Sequence, residues 1–133
     1  MGFNNIPQIK IGNLEFGLIQ GGMGVGISRH KLASAVANEG GVGVISSAGL
    51  GLLYKDFSSD FLEASIHGLK EEIRKARGKT LGVIGVNVMV AMTNFTDMIK
   101  TAISEKVDII TAGAGLPLDL PSFLKKDSVT KLI

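Results

Sequence analysis

Four short runs of apolar and β-branched residues recur along this chain, spaced widely enough for a helix between each pair. That alternation constrains the fold more than any other feature. The runs are FGLIQ (Phe16 to Gln20), VGVIS (Val42 to Ser46), LGVIGVNVM (Leu81 to Met89) and VDIITAG (Val107 to Gly113). None alternates cleanly between apolar and polar residues, which is how strands buried on both faces of a parallel sheet read. Amphipathic stretches lie between them. Leu62, Ile66, Leu69, Ile73 and Ala76 form one stripe at helical spacing, and Phe95, Met98, Ile99, Ala102 and Ile103 form another. Ser28 is expected to cap a helix running through Glu39, with Gly40 as its stop. Asp60, with Glu63 three residues on, has the form of a capping box.

Strand and helix in repeated alternation imply βαβ units, right-handed crossovers and a parallel sheet covered by helices, an α/β fold. The strands are expected near residues 16–20, 42–46, 81–88 and 107–112, with TKLI (Thr130 to Ile133) starting a fifth. No low-complexity tract or shift of composition divides residues 1–133, so one unit without an internal boundary is expected. Ligand sites in such sheets lie at the carboxyl ends of the strands. Here those are the loops after Gln20, Ser46, Val88 and Thr111, and glycine is concentrated in the first, second and fourth.

The charge balance of +2 is too small to argue for nucleic acid or an anionic membrane surface as partner. The absence of cysteine excludes disulfides, thiolate chemistry and cysteine-based metal sites, and nothing suggests an oxidising compartment. MGFNNIPQIK at the N-terminus lacks a basic segment followed by an apolar one, and no stretch approaches the ~18 to 20 apolar residues of a membrane span. A soluble cytoplasmic protein acting on a small-molecule substrate is the expectation, with no bound metal.

Residues 19 to 28, IQGGMGVGIS, place four glycines within eight positions. A dinucleotide fingerprint needs glycine at its first, third and sixth positions. Gly22 and Gly24 would require it where Ile27 stands, and Gly24 and Gly26 where Arg29 stands. A P-loop fails too, because no Gly-Lys-Ser/Thr follows. Two readings remain open from spacing alone. The glycines either only turn the chain, or they leave its backbone open to something flat, since glycine permits close approach and positive φ.

Ile19 to Ser46, with GVNVMV (Gly85 to Val90) and TAGAGLP (Thr111 to Pro117), resembles the N-terminal half of the nitronate monooxygenase family, formerly called 2-nitropropane dioxygenases. FMN-dependent enoyl-ACP reductases share these motifs. The resemblance implies parallel (β/α) units of a TIM barrel, about half a barrel in this chain, holding FMN at its C-terminal mouth. It implies oxidation of alkyl nitronates with molecular oxygen, or alternatively enoyl-ACP reduction. It also places Gly21, Gly22 and Met23 against the isoalloxazine ring, Asn87 at the flavin's polar edge, and Thr111 and Gly113 beside it. An amide suits that edge because it offers donor and acceptor together. A polar residue between GVIGV and VMV is also expensive to bury unpaired.

Other readings stay beside these. Met23 could plug the core, and Ser46, Ser47 and the AGLG that follows could line the pocket or be plain loop. His30, in the first turn of a helix leaving the site, is expected to be solvated, and His67, between Glu63 and Glu71, to lie on the surface. A (β/α)₈ barrel needs about 250 residues, so the family's histidine base and phosphate-binding loops are expected beyond residue 133. No catalytic residue is assigned in this chain. Taken alone it is expected to bind FMN weakly or not at all, and either a second copy or a complementary C-terminal half is the expected partner. A truncated half-barrel without turnover is the third alternative.

Overall fold

The computed structural model describes residues 5–133. The first four residues of the N-terminal stretch discussed above lie outside the described residues. Eleven elements follow in order: β1 (Ile9–Ile11), β2 (Leu14–Phe16), α1 (His30–Asn38), β3 (Gly43–Ser46), α2 (Leu50–Leu53), α3 (Phe61–Arg77), β4 (Ile84–Met89), α4 (Phe95–Ser104), β5 (Ile109–Gly113), a 3-10 turn (Leu120–Phe123) and β6 (Lys131–Leu132). β3, β4, β5 and β6 form a parallel sheet in chain order, as the alternation implied.

The first expected strand is corrected. Phe16 ends β2, which pairs antiparallel with β1 in a hairpin turned at Gly12 with φ +61°. Only a single parallel bridge, Ile19 to Val42, then joins the following segment to the sheet. Gln20 extends that join with its side chain, whose Oε1 accepts from the Val44 N–H at 3.1 Å and whose Nε2 donates to the Val44 carbonyl at 3.1 Å. The third strand is shorter than expected, because Leu81 lies before it at 103% relative exposure.

Strand residues alternate between two buried layers. Ile45, Ile84, Val86, Val88 and Ile110 face the helices and pack with Leu69, Ile73, Met98 and Ile99. Val44 and Ile109 face the other way, where Val42 and Phe16 join them and the hairpin covers them through Ile11 and Leu14. This second apolar layer explains why the runs showed no clean period of two: both faces exclude water. α1 crosses so close to β3 that a Cβ on Gly43 would collide with the Ala33 carbonyl.

Helix ends follow the expected chemistry in part. Asp60 caps α3 by accepting from the Glu63 N–H at 2.8 Å, and Gly40, at φ +88°, stops α1. Glu63 does not return the bond, and accepts from the Ser58 hydroxyl at 2.8 Å instead. Ser28 does not cap α1, since Arg29 occupies that position and Ser28 is drawn into the preceding loop. No helix among the described residues is long and apolar enough to cross a membrane.

Candidate functional site

Towards the carboxyl ends of the strands, the face that carries Val44 and Ile109 turns polar. Ser46 lies in register with Asn87, and Asn87 with Thr111, so three polar side chains cross adjacent strands in one row. Asn87 Nδ2 donates to Thr111 Oγ1 at 3.1 Å. Asn87 Oδ1 accepts nothing from the described residues, and the second amide hydrogen and the Thr111 hydroxyl hydrogen remain available to donate. Gly113 stands two residues beyond Thr111, in register with Met89, with open space where a Cβ would be.

The glycine-rich loop lies over this row. A Cβ on Gly22 would sit 2.5 Å from Asn87 Cβ, so the loop's backbone rests on the amide side chain and only glycine allows that approach. Gly21 meets open space in its Cβ direction, and Met23 is 63% exposed. The loop is tied from within by Ser28. Its hydroxyl accepts from the Met23 N–H at 2.9 Å and from Gln20 Nε2 at 3.2 Å, and donates to the Gly21 carbonyl at 3.3 Å. Ser28 is buried, and its own carbonyl accepts from the Ser46 N–H at 3.0 Å. The loop also touches the turn after β3, where the Val25 N–H donates to the Ala48 carbonyl at 2.9 Å.

Beyond Ser28 the chain meets a buried carboxylate. Glu72 of α3 is fully buried and accepts from Arg29 Nε at 2.9 Å, Arg29 Nη2 at 2.6 Å, the His30 N–H at 2.9 Å and the Tyr54 hydroxyl at 2.6 Å. The Arg29 and Tyr54 bonds fall on Oε1 and the His30 N–H on Oε2, from which His30 Nδ1 lies 2.6 Å. Burial alone would push this carboxyl up, but the hydrogen bonds from Arg29, Tyr54 and His30 outweigh it and hold the pKa down at about 2. Burial, then the bond to Glu72, pushes the Tyr54 phenol up.

The structure therefore brings Gly22, Asn87 and Thr111 into contact, with Gly21 and Gly113 presenting open backbone at the rim of the same face. Met23 is held by its N–H while its side chain points away from the core, so the plug reading is corrected. His30 is not solvated: it is half-buried against Glu72. His67 is half-buried too, stacked on Phe57 with ring centroids 3.7 Å apart. Gln20, Ser28 and Glu72 were missed. Gln20 and Ser28 flank the glycines as the nearest polar residues, a signal that was present. Glu72 stands three residues after Leu69 and four before Ala76, on the flank of the apolar stripe, whereas Glu71 lies on the opposite side of the helix. The helical period thus carried a signal for which carboxylate is buried but none for what it meets.

Parallel βαβ units in chain order, with helices over the sheet, place the chain in the (β/α) barrel class. The sequence profile described as nitronate monooxygenase matches residues 5–126, and the chain belongs to that family, one of flavin-dependent oxidoreductases. Among solved structures it is similar to FabK from Thermotoga maritima, with 30% identity and a TM-score of 0.72 over 90% of this chain and 33% of that one. A point mutant of the same protein gives 32% identity and a TM-score of 0.68 over 90% and 35%. The chain thus spans about a third of the length of these structures. No curated protein matches it.

Proposed function

We propose that the complete protein binds FMN at this carboxyl-end face and oxidises alkyl nitronates with molecular oxygen. The observation that carries the reading is the contact of Gly22 with Asn87, beside Thr111, at the polar end of a face whose remainder is apolar. An aromatic heterocycle whose rim presents both donors and acceptors matches what Asn87 leaves unused, a free Oδ1 and a free amide hydrogen. The open backbone at Gly21 and Gly113 lets a flat ring approach without meeting a side chain. When bound, FMN supplies the electron transfer, and the protein's share is to bind, orient and tune it.

Asn87 and Thr111 act as a fixed pair in this reading, since the bond between them sets which amide edge faces the ring. The loop of Gly21, Gly22 and Met23 forms the floor, and Ser28 keeps its carbonyls turned inward. No acid or base for the chemistry is assigned among these residues. A second reading, FMN-dependent enoyl-ACP reduction, rests on the motifs shared with those reductases at Ile19 to Ser46, Gly85 to Val90 and Thr111 to Pro117.

The test is made on the complete protein. Flavin fluorescence titration should show binding, and Asn87→Ala should weaken it at least about tenfold, the loss of one to two hydrogen bonds. Oxygen uptake with propyl nitronate supports the first activity, and NAD(P)H oxidation with a crotonyl thioester the second. Flavin binding without either turnover overturns both activities, and absence of flavin binding overturns the site.

A further inference from the structure

Glu72 takes no part in the row of Asn87 and Thr111, yet its surroundings are built with more care than any other charged group of the described residues. Four of its hydrogen bonds come from two segments that border the site. Arg29 and His30 immediately follow Ser28, the residue that ties the glycine loop together. Tyr54 ends α2, which follows the turn at Ala48 and Gly49 on which that loop rests. Val25 donates to the Ala48 carbonyl, and a Cβ on Gly24 would meet Ala48 Cβ at 2.9 Å. Two loops that touch each other at the carboxyl-end face are thus pinned to one oxygen pair on α3.

Ser28 ties the loop to itself and Val25 ties it to the turn after β3, and Glu72 adds an anchor from α3 beyond both. The loop's flanking segment joins the sheet by one bridge, Ile19 to Val42, and glycines at 21, 22, 24 and 26 leave its backbone many conformations. Arg29 Nε and Nη2 both donate to the one oxygen Oε1, so two bonds hold the guanidinium where an ammonium would make one. It also receives the free N–H at the start of α1, a helix whose cap residue offers no side-chain bond of its own.

We propose that Glu72 is a positioning residue for the flavin floor, acting through Arg29, His30 and Tyr54 to hold residues 21–28 against Asn87. The proposal rests on the reading of that loop as the floor of an FMN site. It predicts that loosening the carboxylate frees the loop before it frees the sheet.

The experiment compares the complete protein with Glu72→Gln, which keeps the shape and removes the charge, and with Arg29→Lys, a milder change that keeps the charge and removes one of those two bonds. Arg74→Gln serves as control, because it breaks the Arg74 to Glu105 pair on the same helix away from the loop. Amide hydrogen exchange is followed without FMN, and FMN affinity by titration. Glu72→Gln should speed exchange across residues 21–28 at least tenfold more than it speeds exchange in β4 and β5, and should weaken FMN at least tenfold. Arg29→Lys should do the same to a smaller extent, and Arg74→Gln should do neither. Equal acceleration in the loop and in β4 and β5, or no acceleration in the loop, overturns the proposal. A freed loop with unchanged FMN affinity overturns it as well. If the unsubstituted protein binds no FMN, the flavin reading fails on its own, while exchange still decides whether Glu72 holds the loop.

Discussion

The sheet of β3, β4 and β5 and the loop of residues 20–28 lie against each other and are held by opposite means. In the sheet, backbone pairs with backbone along every strand, and Ile84, Val86, Ile109 and Ile110 are sealed on both faces. In the loop, scattered backbone bonds such as Val25 to Ala48 and Ser28 to Met23 are supplemented by side chains. Ser28 serves Gly21 and Met23, and at the loop's two ends Gln20 serves Val44 of β3 and Glu72 serves His30 of α1. Meanwhile the apolar side chains of Met23, Val25 and Ile27 stand exposed. The difference teaches where a ligand face can be built. A ladder satisfies its own polar groups and leaves nothing for a ligand, whereas a loop whose bonds are delegated to a few side chains can leave part of its backbone open. The cost is that each of those side chains matters singly, while the sheet spreads its stability over many contacts.

The largest effect that would sharpen this contrast is in the sheet. Ile110→Ala removes a fully buried side chain from the layer beneath the helices, and should cost about 4 kcal/mol in denaturant unfolding. A loss under about 1 kcal/mol would show that the sheet is no more rigid than the loop.

An acid titration comes next. Because the folded pKa of Glu72 lies near 2, below its ordinary value of 4.5, its hydrogen bonds stabilise the fold above pH 4.5. That stability is lost as the pH falls from about 4.5 towards 2. The shift corresponds to about 3 kcal/mol between those limits. Unfolding free energies measured across this window should fall in the unsubstituted protein and be flatter in Glu72→Gln. Parallel curves would remove Glu72 from the account of acid lability.

The smallest global effect is expected from Ser28→Ala. It removes one hydroxyl that serves Gln20, Gly21 and Met23, and should lower the unfolding free energy by about 1 to 2 kcal/mol. Cleavage by a limiting amount of protease should nonetheless move to residues 21–28. Unchanged loop cleavage would break the claim that single side chains hold this region.

Much of the sheet was legible because burial on both faces leaves a mark in composition. VGVIS, the core of LGVIGVNVM and ITAG became strands, and the stripes on α3 and α4 turned inward at Leu69, Ile73, Met98 and Ile99. The hairpin of IKI and LEF about Gly12 drew no expectation, because three-residue strands carry little signal beside a longer apolar run. FGLIQ was that run. It was read as a strand, and it became one because of its partner for a single bridge only, since Gln20 completes the pairing with its side chain. Leu81 was drawn into a strand by its neighbours, although the chain leaves α3 in solvent at that point.

The sequence by itself determined the α/β class, the parallel order of the sheet and the strand ends at which the glycine-rich loops lie, while the roles of Asn87 and Thr111 came from the family resemblance. The first three follow from local chemistry: which residues tolerate burial and which backbone bends. Only the tertiary structure decided that Gly22 lies on Asn87 and that the buried Glu72 meets Arg29, His30 and Tyr54. Glu71 and Glu72 are adjacent and chemically identical, and they differ only in the direction each leaves the helix. Which direction meets Arg29, His30 and Tyr54 depends on how α1, α2 and α3 are packed, and residues 18 to 43 positions away in the chain are brought to Glu72 only by that packing.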